Sequence, residues 1–192
     1  HTRFRNVTGV QTCALPIFYI MVIPDIVKIH IDPFWDSEYK GLNYIFEPFN
    51  DGDSLKKWRN LGYSGTFTGA MCDMRYPQPS WNRRFIDYFT RLGWKNIGTS
   101  YYRMDTGTVL PTHSDLYLKY IDIFKLHNIK NSIYRAIIFL EDWQSGHYAE
   151  YNYKPYIGWK AGDAIYWQYD LPHMAANIGP TARYTLQITG HL

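Results

Sequence analysis

Apolar and polar residues alternate along much of the second half of the chain, a pattern typical of β-strands that bury one face. Gly, Pro, Asn and Asp residues separate the alternating segments. Many short strands at such spacing are typical of a sandwich or a barrel. The pattern predicts strands at 97–104, 109–115, 133–140, 148–153, 164–169, 174–177 and 184–189.

A second pattern, with apolar residues three or four positions apart, predicts a helix just before these strands. Trp81, Phe85 and Phe89 recur at helical spacing. Ser80 is suited to the N-cap of this helix, and Gly93 is suited to the position that follows the C-cap. We expect the apolar face of the helix to pack against the predicted sheet.

Three other segments have weaker patterns. A short helix is predicted to begin at Asp53 or Ser54 and to end at Gly62. Residues 26–49 mix β-branched and aromatic residues with breaks at proline, which predicts short strands and loops. Apolar residues at roughly helical spacing make 116–130 a candidate lid or substrate loop.

These elements predict one compact domain. Residues 97–192 form its core, and 21–96 form an N-terminal extension whose helices pack on that core. Residues 7–17 look like the translation of a sequencing adapter. We therefore expect 1–20 to be a non-native or disordered leader before a native start at Met21.

Composition fits a soluble globular domain, with 46% hydrophobic and 19% charged residues in a chain of 192. The 18 Tyr and 7 Trp residues suit a wide, packed β-structure. Beyond residue 20, 18 basic side chains balance 17 acidic ones. Such balance argues against a nucleic-acid-binding surface.

The cysteines and the apolar N-terminal stretch bear on localisation. Cys13 and Cys72 alone build neither a disulfide framework nor a zinc knuckle, which is typical of a reducing cytoplasm. The apolar stretch 14–23 is too short to span a bilayer and contains Pro16. We expect a cytoplasmic protein without a membrane partner, and the sequence predicts no oligomeric state.

The candidate chemistry lies in two widely separated motifs. His113 and Asp115 are two residues apart on a predicted strand, so both side chains project to one side and can bind one ion. His173 follows much later in the chain. Two imidazoles and one carboxylate leave open positions on a metal, the arrangement used by non-haem Fe(II) oxygenases. Ten residues after His173, Arg183 and Thr185 form an Arg-x-Thr element.

Segments 102–115, 162–165 and 173–177, together with the Arg-x-Thr element, resemble the family of 2-oxoglutarate and Fe(II)-dependent oxygenases. The resemblance covers 101–190, about half of the chain. It implies a mainly β (α+β) fold, with a double-stranded β-helix of the jelly-roll type as the core and an N-terminal helical buttress. Asp105 departs from the family, whose members often have proline before the glycine.

The resemblance also implies roles for individual residues. His113, Asp115 and His173 bind Fe(II) in this interpretation. The Arg183 guanidinium holds the distal carboxylate of 2-oxoglutarate through two parallel hydrogen bonds, and the Thr185 hydroxyl donates to the same carboxylate.

Tyr102 is the family-matched candidate for a further contact to the co-substrate. Tyr101 is equally available, and alternation puts the two side chains on opposite faces of the strand.

The implied activity is a dioxygenase reaction that uses dioxygen and 2-oxoglutarate, releases succinate and CO2 and hydroxylates a C–H bond. Because Asp115 is present, halogenation is disfavoured, since related halogenases have a small residue there. The substrate class predicted is a small molecule, or an amino-acid or peptide side chain.

Three further residues are candidates for the substrate pocket. Arg135 interrupts an apolar predicted strand, and a buried arginine needs an anionic partner, which a carboxylate of co-substrate or substrate could provide. Arg103 lies near the first ligands but could equally sit at a strand edge. His147 is a candidate for substrate contact or for a structural role.

Two alternatives remain open at the level of sequence. A jelly-roll module could bind a metal or another ligand without turnover, because this architecture also serves lectins and cupins. A cupin-type metalloenzyme that does not use 2-oxoglutarate is the other. A guanidinium ten residues after the last metal ligand favours the oxygenase, because a simple metal-binding module has no need of it.

Overall fold

The computed structural model describes residues 26–46 and 52–192, and these form two β-sheets with three α-helices. The predicted leader, 1–20, lies outside the described residues. The strands are β1 (Val27–His30), β2 (Ile45–Phe46), β3 (Thr66–Phe67), β4 (Ala70–Asp73), β5 (Lys95–Met104), β6 (Thr108–His113), β7 (Ile133–Phe139), β8 (His147–Tyr151), β9 (Lys154–Tyr156), β10 (Asp163–Gln168), β11 (His173–Asn177) and β12 (Arg183–His191). The helices are α1 (Gly52–Asn60), α2 (Asn82–Arg91) and α3 (Leu118–Phe124), with 3-10 turns at Ser37–Gly41 and Lys130–Ser132.

Strands β5 to β12 are distributed between the two sheets as the chain winds back and forth. The larger sheet has the order β1-β10-β7-β12-β5-β4-β2, and the smaller sheet has the order β3-β6-β11-β8-β9. All pairings are antiparallel except that of β3 with β6. This arrangement is a double-stranded β-helix of the jelly-roll type. The predicted fold class is confirmed.

The larger sheet buries both of its faces. Alternate residues of β7, such as Ile137 and Phe139, face the smaller sheet and join the core between the sheets. The residues that alternate with them, Ala136 and Ile138, face away and join a second apolar cluster. Two-sided burial explains why β7 has a nearly continuous apolar sequence.

Helix α2 covers the outer face of the larger sheet, as its apolar spacing predicts. Phe85 and Phe89 are fully buried in the outer cluster. Gly93 has the predicted left-handed conformation after the helix, with φ of 91°. The predicted N-cap is wrong, because the Ser80 hydroxyl donates to Glu38 Oε2 (3.0 Å) and Trp81 occupies the cap position without a side-chain bond.

Several strand and helix boundaries differ from the predictions. Strand β6 ends at His113, so Asp115 lies beyond the strand and not within it. Strands β3, β4 and β9 were not predicted. Helix α1 begins at Gly52, which places Asp53 and Ser54 in its first turn.

The segment after Asp115 contains α3 and is anchored at the sheet end. The Tyr120 hydroxyl donates to Asn96 O (3.1 Å) and lies 3.0 Å from His191 Nδ1. Ile121 is buried against Leu126 and Ile133. None of the helices in 26–46 and 52–192 has the length and apolar character needed to cross a membrane.

Replacing Phe89 with alanine should destabilise the fold by about 3–5 kcal/mol, because a fully buried phenylalanine would leave a cavity under α2. Urea unfolding followed by far-UV circular dichroism measures this change. The matched control is Arg91→Ala at an exposed position of the same helix, with an expected effect below about 1 kcal/mol. Equal effects of both substitutions would contradict the assigned role of α2.

Candidate metal centre

Two histidines from neighbouring strands of the smaller sheet face each other. His113 is the last residue of β6 and His173 the first of β11, and the two are direct partners in the antiparallel ladder. Their ring centroids are 4.3 Å apart. The register shifts by one residue just beyond this pair, where β6 contains Pro111. Proline has no N–H for the ladder, so a local irregularity is the expected place for it.

Backbone carbonyls orient both imidazole rings. His113 Nδ1 donates to Pro111 O (2.7 Å), and His173 Nδ1 donates to Leu171 O (2.9 Å). A carbonyl only accepts, so each Nδ1 carries the proton and each Nε2 carries the lone pair. Such a bond to the other ring nitrogen is what orients metal-binding histidines. Both Nε2 atoms are therefore prepared as ligands.

Asp115 completes the group. Its Oδ1 lies 3.9 Å from His113 Nε2, and its Oδ2 lies 4.0 Å from His173 Nε2. The ligand atoms of the three residues all lie within 4.8 Å of one another and could hold a metal ion. Bonds of about 2.0–2.2 Å to one ion allow ligand atoms to be up to about 4.4 Å apart. The group therefore needs to contract by only a few tenths of an ångström, and its residues fit a divalent metal.

The electrostatics of the centre favour its ligand forms. Burial lowers the pKa of His173 to about 4, so its ring is neutral at pH 7. Burial raises the pKa of Asp115, but Arg135, with smaller effects of the two imidazoles, outweighs it and holds that pKa at about 2. Arg135 Nη2 lies 3.0 Å from Asp115 Oδ2. Neutral imidazoles and an ionised carboxylate are the forms that bind a metal.

Arg183 is at the other end of the interior, at the start of β12. It is buried, with 4% of its surface exposed. Its guanidinium lies 5.4 Å from the Trp159 ring centroid and 5.6 Å from that of Phe139, and Nη1 lies 3.0 Å from Met104 Sδ. Its Nε has no hydrogen-bond partner, and no carboxylate of the described residues forms an ion pair with it. Burial lowers its pKa.

Two solved structures share this fold. A prolyl-4-hydroxylase from Pseudomonas putida is 10% identical, with a TM-score of 0.53, and the alignment covers 87% of this chain and 92% of that chain. The non-haem α-ketoglutarate-dependent carbocyclase SnoK from nogalamycin biosynthesis is 12% identical, with a TM-score of 0.54 and coverage of 87% and 79%. No protein-family model and no curated protein matches the sequence. At these identities the likeness shows the fold alone.

The remaining co-substrate candidates lie beside Arg183. Thr185 is buried and pairs with Tyr102 of β5 and Phe139 of β7. Tyr102 packs between the sheets, and its hydroxyl accepts from Gly69 N (2.7 Å) and contacts the Thr68 hydroxyl. Tyr101 faces the outer cluster and donates to Asn82 Oδ1, so only Tyr102 of the two tyrosines faces the interior.

The three pocket candidates have different surroundings. Arg135 faces the interior, where its charge is paired with Asp115. Arg103 lies on the opposite face of β5 from Tyr102, with its guanidinium 5.2 Å from the Tyr44 ring centroid, and the structure does not bring it to the metal group. His147 is buried at the far end of β8, where its Nε2 lies 2.9 Å from Thr181 O.

Sequence reasoning missed an aromatic wall between the metal group and Arg183. The Tyr151 ring is stacked on that of His173, with 6.4 Å between centroids and an interplanar angle of 11°. The Trp167 ring lies 5.1 Å from that of His173. Alternation along β8 and along β10 shows which residues share a face of each strand, but only the strand pairing shows that the faces carrying Tyr151 and Trp167 both point into the interior between the two sheets.

The metal-free protein should lose stability in acid through His173. Its pKa is 6.5 in an unfolded chain and about 4 in the fold, so its contribution is complete above pH 6.5 and is lost as the pH falls towards 4. The difference corresponds to about 3 kcal/mol. Urea unfolding at several pH values should show a smaller dependence on pH for His173→Gln. Identical slopes for variant and wild type would contradict this burial.

Proposed function

We propose that the protein is a non-haem Fe(II) and 2-oxoglutarate-dependent dioxygenase that hydroxylates a C–H bond of a small-molecule, amino-acid or peptide substrate. One observation carries the proposal: a buried arginine, Arg183, that has no anionic partner among the described residues lies in the same interior as a His-Asp-His group that fits a metal. Of the two similar structures, one is named as a prolyl-4-hydroxylase and the other as a non-haem α-ketoglutarate-dependent carbocyclase.

The uncompensated charge of Arg183 is the strongest indication of a co-substrate. A buried unpaired guanidinium costs several kcal/mol, so the fold is expected to supply an anion when the protein works. A carboxylate that accepts two parallel N–H bonds is the best match to a guanidinium. Thr185 on the same face of β12 has a hydroxyl suited to the same carboxylate. In this proposal the other end of the dicarboxylate is directed towards the metal group.

Each part of the chain has a distinct task in this proposal. His113, Asp115 and His173 would hold the iron, whose chemistry is the activation of dioxygen at the expense of 2-oxoglutarate. Arg183 and Thr185 would fix the distal end of the co-substrate. The rings of Tyr151, Trp167, Phe139 and Trp159 would exclude water and align the co-substrate between these two ends.

Arg183→Met should weaken 2-oxoglutarate binding to the Fe(II)-loaded protein by about 100-fold, because two charge-assisted hydrogen bonds are lost. Anaerobic titration followed by the visible metal-to-ligand charge-transfer band measures this affinity. The matched control is Arg103→Met on the neighbouring strand, whose side chain faces outward and whose loss should leave the affinity within about threefold. Equal losses in both variants would contradict the assignment.

Iron binding can be tested separately by calorimetry with His113→Ala, which should lose the metal. If the wild type binds iron but shows no band with 2-oxoglutarate, a cupin-type metalloenzyme or a metal-binding module replaces the oxygenase. If it forms the band, succinate production in air and a substrate screen follow.

A further inference from the structure

Arg135 has hydrogen-bond donors that its protein contacts do not use. Nη2 lies 3.0 Å from Asp115 Oδ2, and Nη1 donates to Gln187 Oε1 (2.9 Å). Nε is buried without a partner among the described residues. The Tyr117 side chain also interacts with the guanidinium by hydrogen bonding. A guanidinium has five N–H groups, so these three contacts leave two donors, with Nε among them. Two donors are the number that one carboxylate can accept.

The side chain is also reachable from outside. Its relative exposure is 15%, against 4% for the whole Arg183 residue. The Tyr117 ring, at 5.2 Å, covers one side of the guanidinium and restricts its orientation. Arg135 is therefore a held, partly accessible cation beside the metal group, whereas Arg183 is closed off deep in the interior.

Asp115 balances the charge of Arg135 only while Asp115 binds no metal ion. A divalent ion bound by Asp115 and two neutral imidazoles adds two positive charges to the pair. A 2-oxoglutarate dianion brings two negative charges, of which one meets Arg183. Counting the ion, Asp115, both arginines and the dianion leaves one positive charge in the interior. Such an excess favours one more anion, because unpaired buried charge is costly.

The neighbouring positions suit a small polar ligand. Ser100 and Thr189 lie on the same face of the larger sheet as Gln187, since alternate residues of β12 and β5 share that face, and all three are partly exposed. Two carboxylates of the described strands share this face, and both have other partners: Asp73 Oδ2 lies 2.8 Å from Arg75 Nε, and Asp163 Oδ1 lies 2.8 Å from His30 Nδ1. Among the described residues, neither of them is paired with Arg135.

We propose that Arg135 is the subsite for a carboxylate of the substrate, and that the substrate is a free amino acid. Hydroxyl and amide groups of the neighbouring strands bind its other polar atoms. This inference rests on the proposed function. Because Arg135 contacts the metal ligand Asp115, a substrate carboxylate bound to Arg135 would place the neighbouring carbon atoms of the substrate near the reacting centre.

The test measures binding to the full-length protein loaded with Mn(II) and 2-oxoglutarate under anaerobic conditions. The probes are glycine, the nineteen other standard amino acids in their L form and, for each that binds, its carboxamide; calorimetry gives the affinities. We expect at least one acid to bind at least about tenfold more tightly than its carboxamide. Absence of any acid with this preference overturns the proposal, whether nothing binds or acid and amide bind alike.

Two variants identify the subsite. Arg135→Lys retains the charge beside Asp115 but lacks the planar fork, so with the metal site saturated by Mn(II) the acid should bind at least about tenfold more weakly while the 2-oxoglutarate affinity stays within about threefold. Arg84→Gln, on α2 over the Phe34 ring, should change neither of these affinities. A loss of 2-oxoglutarate affinity in Arg135→Lys assigns the arginine to the co-substrate and overturns the proposal. Failure of the wild type to bind 2-oxoglutarate at all would refute the proposed function itself.

Discussion

His113 and His173 are direct partners across β6 and β11, and every other feature of the site is built around this pair. Side chains on a strand alternate between faces, so a slip of one residue would turn one imidazole out of the interior. Pro111 lies where the register shifts, and its carbonyl accepts from the His113 ring. The irregularity that proline imposes on the ladder thus coincides with the carbonyl that orients the first ligand.

The two interior arginines show how a fold can tolerate buried cations at different costs. Arg135 has Asp115 as its partner, and this pairing keeps the carboxylate ionised in spite of burial. Arg183 has aromatic rings and a methionine sulfur around it, and such contacts compensate a full charge only partly. Without bound ligands, the charge of Arg183 is therefore not compensated, whereas the charges of Arg135 and Asp115 compensate each other. An anionic ligand would remove the imbalance.

The sequence was sufficient for the fold class, because alternation is a local property. It also predicted that His113, Asp115 and His173 come together, but through the resemblance of the combined motif to a family, since Asp115 lies beyond the end of β6 and His173 follows 58 residues later. The sequence did not show which face of a strand points into the interior. Alternation shows that Tyr101 and Tyr102 point in opposite directions, but only strand pairing shows which one is inside. The same ambiguity made Arg103 a pocket candidate, although the structure places it outside against Tyr44.

Two-sided burial makes the outer layer part of the site's support. In β7, Arg135 alternates with Ala136, which packs under the helical layer, so the strand that carries the arginine is held from both faces. A charged side chain beside a metal ion keeps its position only if the backbone that carries it is rigid. The rigidity that α2 supplies through Phe85 and Phe89 is thus a condition for the pairing of Arg135 with Asp115. Packing on the outer face of the sheet therefore supports the site on its inner face.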